Sequence, residues 1–404
     1  MSTIAAPLER AEHKTIWLVG GGHLVSHFYH LVLPPLFLLI KPVFDVTYAE
    51  LGFVMTVYFV ATGVTQIPIG MLVDRIGAKR VLVAGLLVHG AAVALAGMVV
   101  SYPVLLGAFF LGGVANSVFH PANFTILSRN VRESHLGRAF AFHTFSGSIG
   151  YALAPVLMLS VAGLFDWRIA LIGAGAVGII MGLLIMMFGK DLQEFEEIAA
   201  ADGKSVNGEP EKRGDWRIML TRPMILFFLF YVAVSAAGTG VTTFSIVVFP
   251  LLYDVTASLA GTLLTVFLVA AIFGSLPGGW LADRARRENL VLATCFLVMA
   301  LALIAIGTGG LSLWLIFAAM IVAGLMRGLY NASRDIMVRR VAPGGSIGTA
   351  FAFVTVGYSV GLSTAPVLFG WQLDNGSAEG VFYISAVFAL LAIVTVLVPS
   401  AKRL

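Results

Sequence analysis

His23, His27 and His30 fall at i, i+4 and i+7, so on an α-helix their imidazoles share roughly a 60° arc of one face. His120 and His143 lie in later apolar stretches. Imidazoles in such positions admit three uses. They titrate at about pH 6.5 when unperturbed, so His27, His30, His120 and His143 are candidates for carrying a coupling proton. A pair at i, i+4 also suits a transition ion such as Zn²⁺ or Ni²⁺. No carboxylate or thiolate nearby in the sequence supports that use, so no metal or other cofactor is assigned. Third, imidazoles can hydrogen-bond between helices. His120 fits this role because Pro121 frees a backbone carbonyl one turn earlier.

Arg327 is the other chemically distinctive residue. It lies about 15 residues into an apolar stretch, ~22 Å along a helix. A lone cation at that depth costs about 2.5–3.5 kcal/mol on insertion scales and normally has a partner or faces water. No carboxylate lies mid-span to pair with it, and Asp335 is two turns away. A guanidinium fork facing water is suited to the anionic group of a small substrate. The alternative is a structural arginine bonded to helix-end carbonyls or drawn toward headgroups.

These residues must be positioned by membrane helices. Apolar residues make up 59% of the chain and charged residues 11%, about half the share usual in soluble proteins. Twelve apolar stretches reach the ~20 residues a helix needs to cross a bilayer. The expected organisation is a tail at 1–14, six helices in 15–188, a polar linker at 189–222, six helices in 223–399 and a tail at 400–404. No cleavable signal is expected, because residues 1–14 are polar and the first apolar run is too long. The single cysteine, Cys295, excludes a disulfide framework. With the N-terminus cytoplasmic, 22 of the 25 Lys and Arg fall in cytoplasmic segments, leaving Lys41, Arg168 and the in-span Arg327. The positive-inside rule therefore predicts both termini in the cytoplasm.

The chain repeats itself. Pro68-Ile69-Gly70-Met71-Leu72-Val73-Asp74-Arg75 recurs 209 residues later as Pro277-Gly278-Gly279-Trp280-Leu281-Ala282-Asp283-Arg284. Gly137-Arg138-Ala139-Phe140-Ala141-Phe142 matches Gly348-Thr349-Ala350-Phe351-Ala352-Phe353, and each copy runs on to Ala-Pro-Val-Leu. Duplicated halves predict two similar bundles, the construction of many secondary transporters. Aligning Pro34 with Pro250 sets His23 on Thr239, Ser26 on Thr242 and His27 on Thr243. The polar stripe thus recurs as threonines. Their alternative use is bonding back to the preceding helical turn.

The Gly-x-Leu-x-Asp-Arg-x-Gly-x-Lys-Arg reading of Gly70 to Arg80, with its weaker copy after the eighth stretch, resembles the signature loop of the major facilitator superfamily. The resemblance covers nearly the whole chain. It implies an all-α membrane fold of twelve transmembrane helices in two six-helix, pseudo-symmetric bundles. The first and seventh helices then face each other across a central cavity. Arg327, His23, His27, His30, Thr239 and Thr243 are the expected substrate contacts. Gly70 is expected to let two helices approach closely. Asp74 and Arg75, with a basic residue such as Arg129, and Asp283 with Arg284 are expected to latch and release the cytoplasmic gate. His89 falls on a peripheral helix and is expected to be structural. A narrower resemblance, carried by His23-x-x-x-His27 before Pro34-Pro35 and by Ser117-Val118-Phe119-His120-Pro121, is to the fosmidomycin-resistance-type branch. That branch would place an acidic residue where this chain has His27. The drug-antiporter signatures are poorly matched: the fourth span lacks their arginine, and the fifth reads Gly150-x-x-x-Ala154-Pro155 rather than a full Gly-Pro pair.

The expectation is an inner-membrane secondary transporter, not an enzyme. It would act as a monomer, moving a small organic anion by alternating access with protons as the coupling ion. Export of a toxic compound and movement of a metabolite are both open. No nucleic-acid partner is expected. The alternatives are a histidine-based transition-metal transporter, or a receptor or sensor on the same fold.

Overall fold

Among the described residues, twelve helical stretches are long and apolar enough to cross a membrane. The structure is a computed structural model and describes residues 10–189, 192, 219–285, 287–341 and 347–397. Residues 1–9, most of the expected linker and the tail at 400–404 therefore lie outside the described residues. The helices are α1 (Arg10–His30), α2 (Phe37–Phe44), α3 (Tyr48–Ile76), α4 (Ala78–Met98), α5 (Tyr102–Asn116), α6 (Phe119–Asn130), α7 (Glu133–Leu164) and α8 (Trp167–Phe188). After them come α9 (Arg222–Thr239), α10 (Ser245–Tyr253), α11 (Ala257–Arg284), α12 (Glu288–Gly307), α13 (Leu313–Val341), α14 (Ile347–Asn375) and α15 (Glu379–Leu397). Large apolar side chains such as Ile67, Leu276 and Trp314 are 78%, 73% and 81% exposed, which suits a surface facing lipid.

Three of the twelve stretches are broken within their length. Pro34 and Pro35 offer no N–H to the carbonyls one turn back, so α1 stops at His30. The chain then passes through a 3₁₀ turn, Pro34–Leu36, into α2. Pro121 cannot donate to the Ser117 carbonyl, so Ser117 and Val118 form a turn between α5 and α6. In the seventh stretch a widened π turn, Gly240–Phe244, separates α9 from α10. Such interruptions are frequent at functional sites because they release backbone groups and re-aim side chains.

Contacts divide the chain into two units, Met1–Phe44 with Val57–Val206, and Asp45–Thr56 with Asn207–Leu404. In the first, α1 packs on α7 and α4 on α8. In the second, α9 packs on α14, α12 on α15 and α11 on α13. Counted as membrane stretches, these are first on fifth and third on sixth, then seventh on eleventh and ninth on twelfth. The duplication of sequence is thus also a duplication of packing. A further repeat belongs to it: Asp45-Val46-Thr47 and Asp254-Val255-Thr256 both begin with a left-handed aspartate, at φ 51° and 52°. Each is followed by a threonine at the start of the next helix, and Thr256 Oγ1 accepts from Leu259 N at 3.3 Å.

The start of α3 belongs to the second unit for a local reason. Asp374 of α14 accepts from Tyr48 N at 3.0 Å and from Ala49 N at 2.8 Å, satisfying two orphan donors of the α3 N-terminus. Small residues permit the other close approaches. Gly324 and Gly328 of α13 face the Phe267 and Ala271 carbonyls of α11, where a side chain would collide with backbone. Gly70 departs from expectation. Among the described residues, a Cβ there would meet nothing within 4 Å, as at its repeat partner Gly279.

Candidate functional site: a histidine column and a buried arginine

In the first unit, α1, α6 and α7 assemble five imidazoles into one cluster. The His23 ring stacks on His143 with centroids 3.5 Å apart and meets His27 edge-on at 4.3 Å. His27 stacks over His30 at 5.3 Å. His120 lies 5.6 Å from His23 and 6.4 Å from His27. The helical spacing foreseen for α1 accounts for three of these. The break at Ser117–Val118 sets His120 in the first turn of α6, and the α1–α7 contact adds His143.

Hydrogen bonds divide the five. His30 is engaged at both nitrogens, with Nδ1 2.6 Å from the Tyr151 hydroxyl and Nε2 3.2 Å from Asn116 Oδ1. The acceptor-only Asn116 Oδ1 makes Nε2 the donor and leaves Nδ1 to accept from Tyr151. His143 Nε2 lies 3.2 Å from the Asn123 amide nitrogen and accepts from it. His23 Nδ1 donates to the His143 carbonyl at 2.7 Å, which leaves Nε2 with a lone pair; that atom is buried without a partner among the described residues. His27 Nδ1 is also buried and unpartnered. Gly147 of α7 faces this gap. A Cβ there would stand 2.7 Å from His23 Cε1 and 3.1 Å from His27 Nδ1. His89, foreseen as structural, is 1% exposed and packs 4.2 Å from the Tyr29 ring.

The second unit holds Arg327. Its guanidinium lies 5.5 Å over the Phe267 ring, and Nη1 is buried with no hydrogen-bond partner among the described residues. Gly238, Phe267, Met299, Tyr330 and Tyr358 help line a cavity of about 20 Å³ beside it, room for a group the size of one or two waters. Asp335 does not neutralise it: Arg334 holds that carboxylate at 2.8 Å, with the Tyr231 hydroxyl at 3.4 Å. Thr239 and Thr243 are buried but lie outside this lining. Thr239 donates to the Ser235 carbonyl at 2.9 Å and Thr242 to the Gly238 carbonyl at 3.0 Å. Both hydroxyl protons therefore go to their own helix, which leaves these threonines only as acceptors.

Of the expected gating residues, Asp74 and Arg75 are exposed at the end of α3, and Asp283 and Arg284 at the end of α11. Arg284 lies 4.5 Å over the Trp280 ring. Arg129 lines a recess with Glu12 and Arg132. That recess holds a cluster the sequence reading did not single out. Glu12, 4% exposed, accepts from Arg132 Nη2 at 2.8 Å and from the Arg132 backbone N at 2.9 Å, and lies 3.2 Å from His135 Nδ1. Asn116, Asn123 and Tyr151 were also missed. The only cue to them was polarity inside apolar stretches, which does not say what each would meet.

The model of the Major Facilitator Superfamily matches residues 19–251 and 231–403. The chain belongs to this superfamily. It is a transporter and a multi-pass membrane protein, not an enzyme. It is 24% identical over 389 residues to the D-galactonate transporter of Escherichia coli O6:H1, covering 90% of each protein. It is 24% identical over 316 residues to the multidrug resistance protein MdtH of Salmonella typhi, covering 76% of this chain and 74% of that one. The crystal structure of the nucleoside transporter NupG shares the fold, with a TM-score of 0.77 at 15% identity over 98% of this chain and all of that one.

Proposed function

We propose that the protein is a secondary active transporter for a small organic anion, working by alternating access in the inner membrane with both termini cytoplasmic. The observation that carries this is Arg327: a cation deep in an apolar helix, with a buried N–H unpartnered and a small cavity beside it. A guanidinium held this way is unfavourable until an acceptor arrives. A carboxylate supplies the acceptor and the opposite charge together. The cavity is too small for a whole solute, so it takes the charged end while the rest of the molecule lies outside it. The relative matched along 90% of the chain is named for galactonate, a sugar acid, which supports an anion of that class.

The sequence carries no nucleotide-binding motif, and protons are the proposed coupling ion. The test is uptake of labelled D-galactonate and other hydroxy-carboxylates into liposomes holding only this protein, with and without an imposed pH gradient. Uptake that is lost in Arg327→Ala, partly kept in Arg327→Lys and collapsed by a protonophore is the expected result. Anion transport unchanged by Arg327→Ala would overturn the site, and indifference to the protonophore would overturn the coupling.

A further inference from the structure

We propose that His23, His27 and His120 form a binding site for a divalent transition-metal ion of the Zn²⁺, Co²⁺ or Ni²⁺ type, with one coordination position left open. One ring nitrogen from each of the three lies within 4.8 Å of the others. Three nitrogens around a single ion, each at about 2.0–2.1 Å, would stand about 3.4 Å apart in tetrahedral geometry. Rotation of the three side chains by an ångström or so closes that difference.

The hydrogen bonds already prepare the set. A metal-bound imidazole almost always donates its other N–H to a carbonyl or carboxylate, which fixes the tautomer and aims the lone pair. His23 does this now: Nδ1 donates to the His143 carbonyl at 2.7 Å, and the free Nε2 is buried without a partner in a residue 3% exposed. His27 contributes a second buried, unpartnered nitrogen one turn along the same helix. Gly147 keeps the space between these rings clear. His120 completes the triad from α6 and is exposed, so the fourth position is reached from its side. His30 is excluded as a ligand because Tyr151 and Asn116 occupy both of its nitrogens, and at His143 the Asn123 amide occupies Nε2.

The donor set chooses the ion class. Three neutral imidazoles without a carboxylate disfavour Ca²⁺ and Mg²⁺, which take oxygen ligands. With no thiolate in the set, the preference falls on borderline ions. Sequence spacing supplied only the His23–His27 pair; the third ligand comes from the broken fourth stretch, 93 residues further on. The inference does not rest on the anion reading, because the triad and Arg327 belong to different units.

The experiment is a Co²⁺ titration of tag-free, chelator-stripped protein, followed by visible absorption and by displacement with Zn²⁺. The wild type is expected to show the intense visible bands of four-coordinate Co²⁺ at one equivalent. His27→Ala and His120→Ala should each weaken binding at least tenfold, since losing even an outer-shell partner costs about 10- to 100-fold. His27→Asn and His120→Gln guard against misfolding and are read alongside a monodisperse elution profile. Arg327→Ala should leave the titration unchanged while abolishing anion binding, so the two sites fail separately. A Co²⁺ spectrum that stays six-coordinate, or an affinity indifferent to all four histidine variants, would overturn the metal site.

Discussion

Arg327→Met should separate stability from binding, and the two readouts should move independently. The buried Nη1 has no partner. Leaving such a donor unsatisfied costs about 1–3 kcal/mol, and substitution relieves that cost. The guanidinium's place over Phe267 at 5.5 Å contributes about 0.5–2 kcal/mol in the other direction. The methionine chain refills most of the arginine stem volume. These contributions nearly cancel, so the ligand-free variant should unfold at close to the wild-type temperature. Binding should behave otherwise. A hydrogen bond to a charged group is worth about 1.5–3 kcal/mol, or about 10- to 150-fold in Kd. The assay is thermal unfolding in detergent, with and without a saturating hydroxy-carboxylate. The wild type should be stabilised by the anion; Arg327→Met should start at the same midpoint and be stabilised by about 1.5–3 kcal/mol less. Arg327→Lys should show a partial shift, because an ammonium is a point charge without the planar fork. A ligand-free variant several kcal/mol less stable, still stabilised by the anion as much as the wild type, would refute the reasoning and make Arg327 a structural residue.

Other substitutions test the framework. Gly150 of α7 lies against the Leu24 carbonyl and the Phe28 amide of α1. Gly150→Ala should therefore destabilise by about 1–3 kcal/mol through overpacking, whereas Gly70→Ala, facing open space, should leave the unfolding midpoint unchanged or slightly raised. Equal midpoints for the two variants would contradict the contact assignment. Asp374→Ala removes the acceptor of the Tyr48 and Ala49 amides. It should cost about 1 kcal/mol and speed hydrogen exchange at those amides, and unchanged exchange there would count against the cap. Glu12→Ala strips the buried acceptor from Arg132 and His135. Because Arg132 is 44% exposed and can turn to water, the expected loss is about 1–2 kcal/mol, measured by thermal unfolding, rather than the full penalty of a broken buried pair.

The histidines show where sequence reasoning stopped. Their clustering on α1 followed from spacing alone, because a helix of 3.6 residues per turn brings i, i+4 and i+7 to one face. Their individual states did not follow. His30 is engaged at both nitrogens by Asn116 and Tyr151, 86 and 121 residues away, while His27, one turn earlier, keeps a bare nitrogen. The threonines show the same limit: alignment with His23 and His27 made Thr239 and Thr243 equivalents, yet Thr239 bonds to its own helix and both lie outside the Arg327 cavity. Gly70 was assigned a helix contact from its motif, yet among the described residues a Cβ there would meet nothing within 4 Å.

What could be known from the chain alone was whatever depends on local order and on hydropathy. Twelve membrane stretches, the duplicated halves, and the placing of Arg327 deep within an apolar helix all follow from where apolar and charged residues fall along the sequence. The bilayer demands a minimum length of apolar helix and penalises lone charge, so those features need no partner to be read. Which nitrogen is free, which hydroxyl is spent and which glycine is crowded depend on atoms brought together from distant parts of the chain. Hydrogen bonds and steric contacts act over a few ångströms of space whatever the separation in sequence. Only the packing of α1 on α7, and of α13 on α11, could decide them.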